Sequence, residues 1–356
     1  AIAGKDIIGS SATGSGKTLA FASSIIENLK PNDYVQALIM TPTRELAEQV
    51  ATSISNFSKN KHLNVLAVYG GVDIKTQIRK ISQTDILVGT PGRILDHLQR
   101  RTLRLDYIKF LVLDEVDRMF DMGFRHDVET IIKQCPIKRQ TMMFSATISS
   151  DLDYLAKKYT NDSIDISVES FVDHSKLKQI YYDVEPGRKF SLLFHLLKKE
   201  ESELAMIFCS TRRNADFVAE NLRRSGIKAK VIHGGLVQNK RLSVLKEFHE
   251  KGFNVLVCTD VAARGLDIKC VSHIYNYDLP TGSNDYIHRI GRTARAGENG
   301  KVINLLSNRD YENFGNILKE EALKIDQEQL PSFETVMIRL DSSNKRGRFE
   351  NREYRS

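Results

Sequence analysis

FLVLDEVDRM (Phe110–Met119) sets four apolar residues in an unbroken row and then three carboxylates within four positions. A strand with one wet face alternates apolar and polar residues, so an unbroken row predicts a strand covered on both faces. Burying an unpaired charge is expensive. Asp114, Glu115 and Asp117 at the end of such a strand therefore call for a cation, or for a chemical task.

The same rhythm extends in both directions. DIIGS, QALIMTPT, LAVYGG, DILVGTP and TMMFSAT accompany FLVLDE in the first half, and QIYYDV, AMIFCST, KVIHGG, NVLVCTD, HIYNYD and KVINLLS follow in the second. Between them, segments such as TRELAEQVATSISNFSK and RNADFVAENLRRSG place apolar residues three and four apart, the helical spacing. Alternation of strand and helix predicts an α/β fold with parallel, doubly wound sheets. The rhythm lapses over Tyr159–Gln179, which is polar and weakly periodic. Two tandem domains are expected, 1–165 and 178–335, with a linker at 166–177 and a basic, disordered tail at 336–356. Each domain is read as a mostly parallel sheet with helices on both faces. A chain of 356 residues accommodates two such cores.

The net charge of +7 favours a polyanionic partner. The four cysteines are too scattered for a CxxC pair, which argues against zinc and for a reducing compartment, a cytoplasmic one (or nuclear in a eukaryote). No apolar run approaches the roughly 18–20 residues that span a bilayer, so no membrane partner is expected. The sequence begins AIAGKD, without methionine, which predicts that the natural N-terminus lies upstream.

In open parallel sheets function gathers at the carboxyl ends of the strands, and here those ends carry conspicuous clusters. SSATGSGKT (Ser10–Thr18) lies between a strand and a helix. In that setting Ala12, Thr13, Gly14, Ser15 and Gly16 wrap phosphate oxygens with backbone amides. Lys17 meets the terminal phosphates, and the Thr18 hydroxyl ligates Mg²⁺. Ser11 stands where the GxxxxGK[ST] pattern begins with glycine; the rival reading is a glycine turn that merely caps a helix. With a P-loop nearby, DEVD becomes a Walker B strand end. Asp114 then holds Mg²⁺ through water, and Glu115 orients and deprotonates the attacking water. The rival there is a solvated acidic turn, which the apolar approach opposes.

TGSGKT, PTRELA, TPGR, DEVD, SAT, TDVAARGLD and HRIGRTARAG occur in the order found in DEAD-box RNA helicases, which the chain resembles over residues 1–310. The resemblance implies two RecA-like domains and ATP-dependent separation of short RNA duplexes, with ATP and Mg²⁺ as cofactors. It implies a monomer, with RNA and ribonucleoprotein as partners. It also implies that Arg292 and Arg295 act as fingers on the γ-phosphate and that Gly265 and Asp267 face the nucleotide. Sequence-independent RNA contacts fall to Pro42, Thr43, Arg44, Gly70, Gly71, Thr90, Pro91, Gly92 and Arg93. In the second domain they fall to Gln238, Arg241, Thr259, Arg264 and Gly265. Amides, hydroxyls and arginines suit phosphate and sugar, not base edges. Asp117, Ser145, Thr147 and His288 would couple the domains. Val116 stands where the family name has alanine, Ala294 where glycine is common, and the adenine-reading Q motif would precede Ala1. If YIHRIGR is helical, Arg289, Arg292 and Arg295 share one face; a solvated face is the plain alternative. HGG (His233–Gly235) reads equally as a turn. Two other functions use the same residues: an ATP-gated RNA clamp, and a DNA helicase.

Overall fold

The computed structural model describes residues 1–10, 16–145, 150–167, 177–200, 202–263, 268, 271–293, 299–319 and 323–339. The chain divides into two compact units, one centred on residues 1–172 and the other carrying most of 173–356.

In the first unit the strands are β1 (Ile7–Ser10), β2 (Ala37–Met40), β3 (Val65–Val68), β4 (Ile86–Gly89), β5 (Phe110–Leu113), β6 (Gln140–Ser145) and β7 (Ile164–Ser167). They form one sheet in the order β3-β4-β2-β5-β6-β1-β7, every pair parallel. The unbroken apolar rows are explained by the two cores. Leu38, Leu111 and Met143 face one layer of helices, while Ile39, Val112 and Met142 face the other. Helices Lys17–Asn28 and Arg44–Phe57 cover the second face through Phe21, Ile25, Val50 and Ile54; Arg125–Ile132 covers the first with Val128 and Ile131.

The second unit holds β8 (Leu177–Asp183), β9 (Ala205–Cys209), β10 (Ala229–Ile232), β11 (Val255–Thr259), β12 (His273–Asn276), β13 (Gly300–Leu306) and β14 (Asp326–Gln327). Its order, β10-β11-β9-β12-β13-β8-β14, repeats that of the first unit strand for strand. Helices Lys189–Lys199 and Arg212–Arg224 pack on one face against Ile207, Val257 and Tyr275.

Three details depart from the sequence reading. β7 was not expected: Ile166 and Ser167, assigned to the linker, belong to a strand whose four residues are all exposed, so hydrophobicity gave no signal for it. It docks through backbone pairing to β1, and just before it the Asn161 amide donates to Asp6 Oδ2 at 2.7 Å. At the other end of that linker, Leu177 already opens β8. Thirdly, the tail boundary at 336 falls inside a docked segment. Val336 donates its amide to Ser191 Oγ (3.0 Å) and Arg339 to Asn221 Oδ1 (2.9 Å), so 336–339 are part of the folded unit. Residues 340–356 lie outside the described residues.

Candidate nucleotide site and nucleic-acid interface

Strand order divides the carboxyl edge of the first sheet into two halves. β5, β6 and β1 are neighbours, and their register sets Leu113 level with Met143 and Ser145 level with Ser10. Asp114 therefore emerges one strand away from the start of the phosphate loop. Ala12, Thr13, Gly14 and Ser15 lie outside the described residues. Gly16 has φ 92°, the left-handed region that glycine tolerates, and opens the helix whose first two residues are Lys17 and Thr18.

Asp114 is buried, and its Oδ1 has no hydrogen-bond partner among the described residues. Burial pushes its carboxyl up to about 6; Lys17 opposes the shift and Glu115 adds to it. An orphaned buried oxygen with acidic neighbours fits a hydrated divalent cation, so Thr18 and Asp114 are suited to hold Mg²⁺. A carboxyl raised in the folded state stabilises the fold below pH 3.8, and that contribution is lost as pH rises toward about 6. Relative to Asp114→Asn, the nucleotide-free wild type should lose on the order of 2–3 kcal/mol across that window. Urea melts at a series of pH values measure it; a flat difference contradicts it.

Glu115 adopts φ 55°, ψ 55°, a left-handed backbone rare for a residue with a side chain, and heads helix Val116–Asp121. Its Oε2 accepts from Arg118 Nη1 at 2.9 Å in a pair buried on both sides. Asp117 accepts from the Arg118 amide at 3.0 Å. Ser145 Oγ is buried without a hydrogen-bond partner among the described residues, while Thr147 lies outside them.

The other half of the edge belongs to β3, β4 and β2, also neighbours, and it collects the RNA-contact candidates. Pro42 and Thr43 follow β2, with Thr43 Oγ1 capping helix Arg44–Phe57 by accepting from the Leu46 amide at 3.3 Å. Arg44 lies against Gly70 and Gly71. Gly71 has φ 83°, and a Cβ there would stand 2.1 Å from Arg44 Nη1. Thr90 and Pro91 start helix Pro91–Gln99, with Gly92 open on its outer side. Arg93 turns inward, donating to the Val72 carbonyl at 3.3 Å and to Gln77 Oε1 at 3.2 Å, so it braces the Gly70–Gly71 loop from behind. If Arg44 neutralises one phosphate, Arg44→Met should lower the salt dependence of single-stranded RNA binding by about 0.7 in log–log slope. Anisotropy titrations across salt concentrations read this out; an unchanged slope removes Arg44 from the interface.

Thr259 ends β11 of the second sheet, and Gln238 and Arg241 lie in the first turn of helix Gln238–His249. Arg264, Gly265, Asp267 and Arg295 lie outside the described residues. The helix posed for YIHRIGR stops short of Arg292. Helix Ser283–Ile290 ends at Gly291, and Arg292 follows in a turn, its amide donating to the Arg289 carbonyl at 3.1 Å. Arg292 is buried; His288, in the helix's last turn, is half-buried. Arg289 is fully buried and structural. It grips Asp260 with Nε and Nη2 at 2.6 and 2.7 Å, and Nη1 reaches Asn276 Oδ1 and the Asp278 carbonyl, each at 2.7 Å. His233 also has a defined task. Its Nδ1 accepts from the Gly235 amide at 3.1 Å, which leaves Nε2–H to donate to Asp216 Oδ1 at 2.9 Å. HGG is thus an anchored turn.

Two partners escaped the sequence reading. Arg118 was visible three residues after Glu115, the spacing at which helical side chains meet. Asp260, inside TDVAARG, gave no signal of pairing with an arginine 29 positions away.

Two parallel sheets of one topology, with Lys17 heading a helix and acting on the buried Asp114 carboxyl, fit the RecA-like class of α/β folds. The family model for DEAD/DEAH box helicases matches residues 1–155, and that for the helicase conserved C-terminal domain matches 188–297. The chain belongs to the DEAD-box ATP-dependent RNA helicases. It is 47% identical over 310 residues to ATP-dependent RNA helicase CshA of Listeria monocytogenes, covering 86% of this chain and 60% of the relative. Against CshA of Geobacillus kaustophilus it is 42% identical over 336 residues, covering 94% and 72%. The chain thus spans between three fifths and three quarters of the length of these relatives. Among solved structures, S. cerevisiae Dbp5 bound to RNA and ADP BeF3 is similar at a TM-score of 0.81 and 30% identity, over 92% of this chain and 86% of that one. Mss116p bound to ssRNA and AMP-PNP is similar at 0.80 and 27%, over 92% and 72%. Among the described residues no helix is long and apolar enough to cross a membrane.

Proposed function

We propose that this chain couples ATP hydrolysis to local separation of short RNA duplexes. The observation that carries the reading is the divided sheet edge: β5, β6 and β1 supply nucleotide chemistry, while the adjoining β2, β4 and β3 supply Arg44 and the Gly70–Gly71 backbone for a sugar–phosphate chain. The RNA and nucleotide analogues named with Dbp5 and Mss116p support it.

Water attacks the γ-phosphorus, the bond to the β–γ bridging oxygen breaks, and ADP leaves with that electron pair. Glu115 orients the water and takes its proton; Lys17 and Arg292, with Arg295, offset the charge that builds on the γ-oxygens. Mg²⁺ held by Thr18 and Asp114 would neutralise phosphate charge. Binding that depends on ATP holds one strand in a form its complement cannot follow, and phosphate release resets the enzyme. Asp117, Ser145, Thr147 and His288 transmit occupancy between the two halves of the work. Gly265 and Asp267 contact the nucleotide, and Gln238, Arg241, Thr259 and Arg264 extend the RNA contact. On this reading the chain acts as a cytoplasmic monomer on RNA or ribonucleoprotein.

ATPase assays with RNA and with DNA of matched sequence, alongside displacement of a labelled strand from a short duplex, test the proposal. RNA should stimulate turnover and DNA should not. Binding without displacement would indicate a clamp, and equal stimulation by DNA would indicate a DNA helicase.

A further inference from the structure

Arg118 is 2% exposed, an unusual place for a guanidinium. Its hydrogen bond to Glu115 Oε2 spans one helical turn, at the head of the short helix Val116–Asp121. Glu115 itself is strained, and a left-handed residue with a side chain persists only where its surroundings over-determine it. Two of those constraints are visible. On one side, the β5 ladder continues through the Asp114 amide to the Met40 carbonyl at 2.9 Å. On the other, the Met119 amide returns to the Glu115 carbonyl at 3.1 Å. Both fix the backbone, and neither fixes the carboxylate. Arg118 does that, and it engages one oxygen only. Oε1 has no hydrogen-bond partner among the described residues, so it is the oxygen left for a water.

We propose that Arg118 is a positioning residue. It clamps Oε2 of Glu115 and thereby aims Oε1 at the water that attacks ATP. The proposal rests on the reading of Glu115 as the water-orienting base. The cations then divide the acidic cluster between them: Lys17 acts on Asp114, and Arg118 on Glu115.

Four variants of the full chain test this: Arg118→Met, Arg118→Lys, Glu115→Gln and the double variant Glu115→Gln/Arg118→Met. RNA-stimulated ATPase gives kcat and KM, and thermal melts report folding. Arg118→Met should lower kcat about ten- to hundredfold with KM for ATP within about twofold, because the water and not the nucleotide loses its place. Arg118→Lys should recover part of kcat, since an ammonium reaches Oε2 without fixing its plane. The double variant should be no slower than Glu115→Gln alone. A folded Arg118→Met with wild-type kcat overturns the proposal, as does a double variant whose losses multiply. Should Arg118→Met fail to fold, Arg118→Lys decides: full kcat, or a loss lying wholly in KM, overturns it. Turnover retained in Glu115→Gln defeats the underlying reading instead; turnover lost there and retained in Arg118→Met defeats Arg118 alone.

Discussion

Glu115→Gln is expected to cut RNA-stimulated ATP turnover by roughly 10²–10⁴-fold, the usual contribution of a positioned general base. Binding of single-stranded RNA in the presence of ATP should survive. The amide keeps the size and the left-handed backbone of Glu115 but cannot accept the water's proton. It also weakens the charge-assisted bond to Arg118. Nothing in the phosphate loop is touched, so ATP affinity should stay near wild type. Single-turnover hydrolysis together with RNA anisotropy in ATP separates the two effects. Turnover within about threefold of wild type would take Glu115 out of the chemistry; loss of ATP affinity alongside turnover would show that its role is binding.

The second large effect concerns stability. Arg289→Met should destabilise the second unit by about 3–5 kcal/mol, because the truncation leaves a buried acceptor set without its cation. Asp260 loses both of its guanidinium bonds, and Asn276 Oδ1 and the Asp278 carbonyl lose theirs. The damage spreads through a buried polar chain. Asn276 Nδ2 donates to Asn304 Oδ1 at 2.7 Å, Asn304 Nδ2 reaches Tyr286 Oη at 3.1 Å, and Tyr286 donates to Gln179 at 3.0 Å. That chain ties helix Ser283–Ile290 to β12, β13 and β8. At about 2–4 °C per kcal/mol for a unit of this size, the melting transition should fall by roughly 10 °C. Arg289→Lys should recover only part, since a single ammonium cannot reproduce the two-pronged grip. A melt within about 2 °C of wild type for Arg289→Met would show the network to be dispensable.

Much of the architecture was legible because twelve strands are buried enough to be written in hydrophobicity. FLVLDE is the clearest case, since Phe110–Leu113 is buried at every position. β7 was not legible: all four of its residues are exposed, and backbone pairing to β1 leaves no trace in side-chain chemistry. β14, two residues long and exposed, escaped for the same reason. At the site, local motifs could be read and distant pairings could not. Gly16, Lys17 and Asp114 announce themselves by type and spacing. Arg289 shared a three-residue spacing with Arg292, yet it pairs with Asp260, which is far away in sequence. Arg93 likewise has the composition of a phosphate ligand and the geometry of a brace. A motif specifies which groups are present; only the fold decides which way they face.

The strip of chain beyond the last helix bears on how the second unit should be handled in isolation. Phe333 stacks its ring under Arg188, with the guanidinium carbon 4.4 Å from the ring centre, and Phe333 and Val336 cover the helix pair Lys189–Lys199 and Arg212–Arg224. Stopping expression just past helix Tyr311–Ile317 would strip that cover and bare a greasy seam. Such a fragment should clump in solution and melt early, whereas one carried on to Arg339 should stay monodisperse.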